Sequence, residues 1–132
     1  MINKEDANIL IVDDIEDNRY TLERRLKRDG YKNIFLAEGG KTALDMATKN
    51  KFDLILLDLM MPDMSGLEVL KHLKGDPLQR SIPVIMVTAS DEVETAAECI
   101  INGADDFITK PFNGTLLKAR VGASLELSLI HI

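Results

Sequence analysis

Five polar residues in this chain follow directly after short runs of apolar residues. Asp13 and Asp14 follow ILIV, Asp58 follows LILL, Thr88 follows VIMV, and Lys110 follows FIT. Three carboxylates placed together repel one another, and either a lysine ammonium or a bound divalent ion relieves that repulsion. Mg²⁺ suits such a site because it prefers oxygen ligands, keeps several waters and takes further oxygens from a phosphate. The residues therefore predict an acidic Mg²⁺ site beside an aspartate able to accept a phosphoryl group.

Each of these residues also has an ordinary structural explanation. Asp13 and Asp14 could cap the helix that follows them, because Asp is favoured at helix N-termini. Asp58 could be a loop acid, Thr88 is a common residue type at the end of a strand, and Lys110 could be a solvated lysine. The joint pattern favours a site, because four strand ends would supply complementary groups to one edge of a sheet.

The elements that must position these residues alternate along the chain. Aliphatic runs predict strands at 9–12, 34–37, 54–57, 84–87 and 107–108, and helical periodicity predicts helices at about 16–29, 41–49, 66–74, 91–102 and from 113 into the 120s. We expect Ser65 to cap the third helix, and Gly30 and Gly103 to end the first and fourth. This pattern predicts an α/β fold, with a five-stranded parallel sheet covered by helices on both faces.

Helical periodicity also predicts which side chains are buried in two of the helices. In the first helix we expect the buried face to carry Ile15, Leu22 and Leu26. In the fourth we expect it to carry Val93, Ala96, Ala97, Ile100 and Ile101, which follow the spacing of an amphipathic helix. Cys99 is predicted to be a small core or boundary residue rather than a reactive thiol.

Composition limits the function and the location of the chain. A net charge of −6 and a pI near 4.9 argue against direct binding to nucleic acid or to an anionic membrane surface. The sequence has no apolar run long enough to cross a membrane and does not begin like a signal peptide. A single cysteine excludes an internal disulfide and fits a reducing compartment. We therefore predict a cytoplasmic location.

Four motifs, in order, resemble the receiver domain of two-component response regulators. They are ILIVDD, LILLDLMMPDMSG, IPVIMVTA and GADDFITKPF, and the resemblance covers about residues 8 to 125. It implies a doubly wound, flavodoxin-like fold with five helices and strand order 2-1-3-4-5, an order typical of this family. We assign residues 1–125 to the receiver domain. The tail 126–132 could continue the last helix, begin a linker or be an expression remnant.

The resemblance also implies roles for the acidic residues. Asp58 matches the phosphoryl-accepting aspartate, which is also a ligand of the ion. Asp13 and Asp14 match the acidic pair that binds Mg²⁺. The third protein ligand in the family is a backbone carbonyl two residues after the acceptor, which here is that of Met60.

The remaining roles fall on residues at the ends of the fourth and fifth strands. Thr88 matches the switch hydroxyl, and Lys110 matches the lysine that contacts the phosphoryl oxygens. Phe107 stands at the position of the switch aromatic residue, where a tyrosine would add a hydroxyl. Pro111 implies a cis peptide bond with Lys110.

Partners follow from the same resemblance. The phosphoryl donor would be a sensor histidine kinase, a phosphotransfer protein or a small phosphodonor, and a C-terminal output domain would lie outside this chain. A homodimer through the fourth helix, fifth strand and fifth helix is also implied. Such a domain is a signalling module that catalyses only its own phosphorylation and dephosphorylation.

Three rival functions would use some of the same residues. A nucleotide-binding P-loop ending in Gly40-Lys41-Thr42 fails, because the pattern needs a glycine where the chain has Phe35. A phosphatase with an aspartate nucleophile is disfavoured, because such enzymes typically carry a second Asp at the position of Met60. A receiver fold that serves only for protein contact remains open, and failure to bind Mg²⁺ or a phosphate mimic would favour it.

Overall fold

The computed structural model describes residues 3–130, with side chains at all of these positions except Ser90 and residues 127–130. Strands and helices alternate as predicted. They are β1 (Asn8–Val12), α1 (Glu16–Arg28), β2 (Asn33–Ala37), α2 (Gly40–Lys49), β3 (Leu54–Asp58), α3 (Gly66–Gly75), β4 (Val84–Ala89), α4 (Val93–Ile101), β5 (Asp106–Lys110) and α5 (Gly114–Ile130). A single 3₁₀ turn, Ser90–Glu92, joins β4 to α4.

All five strands are parallel and lie in the order β2-β1-β3-β4-β5. The predicted fold class and strand order are therefore confirmed. In this register Asp58 stands beside Val87, and Ala89 stands beside Lys110. The carboxyl ends of β3, β4 and β5 thus meet at one edge of the sheet, where open α/β sheets bind their ligands.

The sheet is covered on both faces, so alternate residues of each central strand enter two different cores. On one face β3 contributes Ile55 and Leu57, which pack with residues of α2, α3 and α4. On the other face β3 contributes Leu54 and Leu56, which pack with residues of α1 and α5. All four of these side chains are at most 1% exposed. Asp58 therefore stands at the end of a strand whose preceding residues are closely packed on both faces of the sheet.

The predicted helix ends are confirmed. The Ser65 hydroxyl accepts a hydrogen bond from the Glu68 backbone N–H at 3.2 Å, which caps α3. Gly30 and Gly103 follow α1 and α4 with φ of 105° and 111°. Only glycine adopts such angles without strain, so both positions suit helix termination.

The predicted buried face of α4 is wrong in most of its residues. Ala96 and Cys99 face the sheet and are fully buried, whereas Val93 is 48% and Ile101 is 85% exposed. Ala97 and Ile100 are also exposed. The small side chains of Ala96 and Cys99 define the packed stripe, and the larger apolar residues lie on the solvent side. Apolar residues on both sides of a helix make the choice of face ambiguous from periodicity alone.

The burial predicted for Ile15 is also wrong, because its side chain is 51% exposed. Ile15 precedes α1 in extended backbone, with φ −99° and ψ 118°, so it does not share the buried face of Leu22 and Leu26. Within the described residues, no helix is long and apolar enough to cross a membrane. Helix α5 includes residues 126–130 of the tail, and residues 131 and 132 lie outside the described part.

Candidate functional site

Three carboxylates converge at the carboxyl edge of the sheet. Asp58 is the last residue of β3, and Asp13 and Asp14 follow β1. One oxygen of each lies within 4.8 Å of the others. Asp13 is 1% and Asp58 is 4% exposed, while Asp14 is half-buried. Adjacent parallel strands bring the acids together as the sequence predicts.

Lys110 joins two of these carboxylates from the end of β5. Its ammonium lies 3.2 Å from Asp58 Oδ1 and 3.3 Å from Asp13 Oδ2. The Lys110–Pro111 peptide bond is cis. Burial of a carboxylate is costly without a partner, so this shared ammonium is what allows two acids to be buried side by side.

The surroundings raise the pKa of Asp58 to about 6. Burial contributes most to the rise, and the negative charge of Asp13 adds to it. The charge and hydrogen bond of Lys110 act in the opposite direction. Asp58 is therefore mostly ionised at neutral pH, yet it remains a stronger base than an ordinary aspartate.

The pKa of Lys110 responds to the same cluster. Burial alone would lower it, but the negative charges of Asp58 and Asp13 outweigh that effect and raise the pKa above its usual value. Lys110 therefore remains a permanent cation at the edge of the site.

The donor atoms fit a hard divalent cation such as Mg²⁺. All three side chains offer oxygen, which Mg²⁺ prefers. Asp13 Oδ2 is buried and has no hydrogen-bond donor within the described residues, although it lies near the Lys110 ammonium. A buried carboxylate oxygen whose one contact there is an ion pair keeps lone pairs available to a metal ion. Met60, whose carbonyl is the predicted further ligand, lies two residues beyond Asp58 with its side chain 62% exposed.

Thr88 lies on β4, one residue beyond Val87, which pairs with Asp58 in the sheet, and is fully buried. Its hydroxyl has no hydrogen-bond partner in the described part of the chain. A buried hydroxyl without a partner carries a free-energy cost, and a new acceptor at the site would remove it. On the neighbouring strand Phe107 is half-buried, and the Arg120 guanidinium lies 5.8 Å from the centre of its ring.

Gly66 fixes the loop that carries Asp58 into α3. Its N–H donates to the Leu59 carbonyl at 2.8 Å. A side-chain carbon at this position would collide with the Asp58 carbonyl and would lie 2.9 Å from Leu59 Cα. Gly66 is the last residue of the motif LILLDLMMPDMSG, but the motif does not by itself predict this close contact.

Asp63 ties the same loop to α2. Its carboxylate accepts hydrogen bonds from the N–H groups of Gly40 at 3.2 Å and Lys41 at 3.1 Å. The bond from Lys41 contributes most to lowering the pKa of Asp63. The helix start that resembled part of a phosphate-binding loop is therefore occupied by a carboxylate of the chain itself, which sequence analysis did not predict.

Comparison with known proteins agrees with this geometry. The family described as "Response regulator receiver domain" matches residues 9–122. Response regulator PleD of Caulobacter vibrioides is 44% identical over 124 residues, which are 94% of this chain and 27% of that protein. Chemotaxis protein CheY-3 of Vibrio cholerae is 35% identical over 126 residues, and the match covers 96% of each chain.

Solved structures show the same similarity. The crystallised Vibrio cholerae chemotaxis protein CheY4 matches with a TM-score of 0.82 at 31% identity, covering 89% of this chain and 98% of that one. The lengths of the relatives differ widely. This chain spans about a quarter of PleD, and nearly the whole of CheY-3.

Proposed function

Because the chain belongs to the response regulator receiver family of two-component signalling, we propose that Asp58 is its phosphoryl acceptor and that phosphorylation depends on Mg²⁺. One observation carries this proposal: Asp58 ends a fully buried strand, with the Lys110 ammonium 3.2 Å away and two further carboxylates beside it. A buried, crowded carboxylate is costly unless its charge is used.

The proposed step moves a phosphoryl group from a nitrogen or oxygen atom of the donor to a carboxylate oxygen of Asp58. An ionised oxygen of Asp58 forms a new bond to phosphorus, and the bond from phosphorus to the donor's leaving group breaks. The donor is a phosphohistidine of a sensor kinase or phosphotransfer protein, or a small phosphodonor. The leaving group keeps the electron pair of the broken bond: a histidine leaves as neutral imidazole, with its ring proton or one taken from solvent, and acetyl phosphate releases acetate as the anion. Asp58 becomes an acyl phosphate.

The side chains around Asp58 divide the remaining work. Asp13, Asp14, Asp58 and the carbonyl of Met60 would hold Mg²⁺, whose positive charge lowers the repulsion between the acids and an incoming phosphoryl group. Lys110 would contact a phosphoryl oxygen, because its ammonium already faces Asp58. The phosphoryl group would end on the chain itself, so the domain would be a signalling module rather than an enzyme that turns over a foreign substrate.

The switch proposed here begins at Thr88. A phosphoryl oxygen at Asp58 would offer its unpartnered hydroxyl an acceptor, and movement of Thr88 would open space for Phe107 to turn inward. The surface that changes would be formed by α4, β5 and α5, where Val93, Ile101 and Leu116 are exposed. We propose that an output domain, a partner or a second copy of the chain contacts this surface.

The wider setting is part of the same proposal. Residues 1–125 would form the receiver domain, residues 126–132 would be a tail or the start of a linker, and the protein would act in the cytoplasm. The relatives include a longer protein, PleD, of which the match covers 27%, and a protein of similar length, CheY-3, of which the match covers 96%.

The experiment that tests the acceptor is mass spectrometry of the intact protein after incubation with acetyl phosphate and Mg²⁺. We expect the wild type and Asp45→Asn to gain one phosphoryl group, because Asp45 lies exposed on α2 away from the site. We expect Asp58→Asn to gain none. An equal gain by Asp58→Asn would contradict the assignment, and chelation of Mg²⁺ should stop the gain in the wild type.

A further inference from the structure

We propose that Arg19 is a positioning residue for the metal site, because its guanidinium fixes the backbone of Asp13. Arg19 lies in the first turns of α1 and is half-buried. Its Nη1 donates a hydrogen bond of 2.7 Å to the carbonyl oxygen of Asp13. This inference rests on the proposed function, because it concerns how the Mg²⁺ ligands are held.

Asp13 is the ligand whose position is most completely fixed. Its N–H donates to the Ala37 carbonyl at 3.1 Å, which continues the pairing of β1 with β2. Its Oδ1 accepts the Ile15 N–H at 2.9 Å, and its Oδ2 faces Lys110. The carbonyl is the remaining polar group, and it accepts the hydrogen bond from Arg19. Each of the polar groups of Asp13 is thus assigned, with Oδ2 left without a hydrogen-bond donor.

The guanidinium of Arg19 has no competing task in the described part of the chain. It forms no ion pair with a carboxylate there, and its hydrogen bond to Asp13 is the only one that its side chain makes. A charged donor makes a stronger hydrogen bond to a carbonyl than a neutral one. Its positive charge, which no carboxylate pairs with in the described part of the chain, therefore lies against the backbone of Asp13, a member of the acidic cluster.

Loss of this hydrogen bond would free the peptide between Asp13 and Asp14 to rotate. Both carboxylates are attached at that peptide, so its rotation would move the two oxygens that the ion needs together. Groups that orient metal ligands typically change metal affinity by roughly 10-fold to 100-fold when they are removed. A residue that merely tied α1 to β1 would change the free energy of unfolding and leave the affinity of the folded protein for Mg²⁺ unchanged.

The chain offers a matched control in Arg24. It lies on the same helix, is exposed, and makes no ion pair or side-chain hydrogen bond within residues 3–130. Arg19→Ala and Arg24→Ala therefore change the net charge by the same amount. Only Arg19→Ala removes a contact with Asp13.

The test is a titration with MgCl₂, followed by the amide NMR signals of residues 13, 14 and 59, together with urea unfolding without metal. We expect Arg19→Ala to raise the Kd for Mg²⁺ by about 10-fold, and Arg24→Ala to leave it at the wild-type value. In the absence of metal, the Asp14 amide signal should shift in Arg19→Ala alone, because that amide shares its peptide with the Asp13 carbonyl. Equal Mg²⁺ affinity in the two variants would overturn the inference.

Arg19→Lys keeps the measurement decisive if Arg19→Ala does not fold. A lysine retains the charge and one donor but loses the planar guanidinium, so we expect an affinity between those of the wild type and Arg19→Ala. Wild-type affinity in Arg19→Lys combined with an unfolded Arg19→Ala would overturn the inference in favour of a purely structural role. Failure of the wild type itself to bind Mg²⁺ would instead contradict the proposed function.

Discussion

The buried position of Asp58 disfavours its ionised form and therefore raises its pKa. The rise from an ordinary value of 3.8 to about 6 means that the folded protein holds a proton on Asp58 more tightly than the unfolded chain does. The folded state is therefore favoured by protonation of Asp58. Between about pH 4 and pH 6, this group lowers the free energy of unfolding as the pH rises.

We predict that Asp58→Asn is more stable than the wild type at pH 8 in the absence of metal. The ionised carboxylate costs the folded state ~1–3 kcal/mol, because one pKa unit corresponds to about 1.4 kcal/mol. An asparagine has no charge to bury and still offers an acceptor to Lys110. The gain should shrink as the pH falls from 6 and disappear below about pH 4, where Asp58 is protonated in both states.

Urea unfolding in the presence of EDTA, at pH 8 and at pH 4, measures this difference. Asp45→Asn is the control, because Asp45 is exposed and its ion pair with Lys49 lies at the surface. We expect the control to differ much less between the two pH values. A stability gain of Asp58→Asn that is the same at both pH values would show that charge burial is not its cause.

Single residues also show how far the sequence can predict a site. The convergence of Asp13, Asp58 and Lys110 could be predicted, because strand ends in a parallel sheet share one edge. The contacts of Arg19 and Asp63 could not, because each depends on the path of a loop or the rotamer of a long side chain. Local sequence patterns carry no information on either.

The junction between β3 and α3 determines where Asp58 lies. Gly66 begins α3 and lies against the backbone of the residue that carries the proposed acceptor. Helix α3 can therefore approach the end of β3 only because this position has no side chain. The capping serine one residue earlier fixes the start of the same helix.

We predict that Gly66→Ala destabilises the domain by ~1–3 kcal/mol, because overpacking forces the backbone at Asp58 and Leu59 to move. The same displacement should weaken Mg²⁺ binding. Thermal unfolding and an MgCl₂ titration measure the two effects.

Gly75, the last residue of α3, is the matched control. An added carbon there meets no atom within 4 Å. Alanine suits a helix better than glycine, so we expect Gly75→Ala to be neutral or to gain up to ~1 kcal/mol. If both variants lost stability equally, helix propensity rather than the close contact at Gly66 would determine the result.

Errors in prediction from sequence concern the buried face of a helix rather than the presence of the helix. The existence and order of all ten elements followed from alternating strand and helix patterns. The face of α4 did not, because its small buried residues Ala96 and Cys99 are less hydrophobic than the exposed Ile101. Hydrophobicity alone therefore selected the wrong side. An exposed apolar face on α4 is consistent with the contact surface that we propose.

The whole molecule is one sheet shared by two cores. Leu56 and Leu57 are adjacent in β3 and are both fully buried, yet they point to opposite faces. Leu56 packs in the core beneath α1 and α5, and Leu57 in the core beneath α2, α3 and α4. Neither helix layer can keep its core if the sheet between them is lost.

We therefore predict that Leu56→Ala and Leu57→Ala each lower the free energy of unfolding by ~2–5 kcal/mol, as for other buried leucines. Each should also unfold the domain in one transition, because the two cores share every strand. Urea titration followed by amide NMR signals tests this, with signals from α1 and α5 compared against those from α2 and α3.

Ile101→Ala, at an 85% exposed position, is the control and should change stability by less than ~0.5 kcal/mol. Loss of the α2 and α3 signals at a lower urea concentration than those of α1 and α5 in Leu57→Ala would mean that the two faces fold independently. Phosphorylation at the shared edge could then remodel one face without the other.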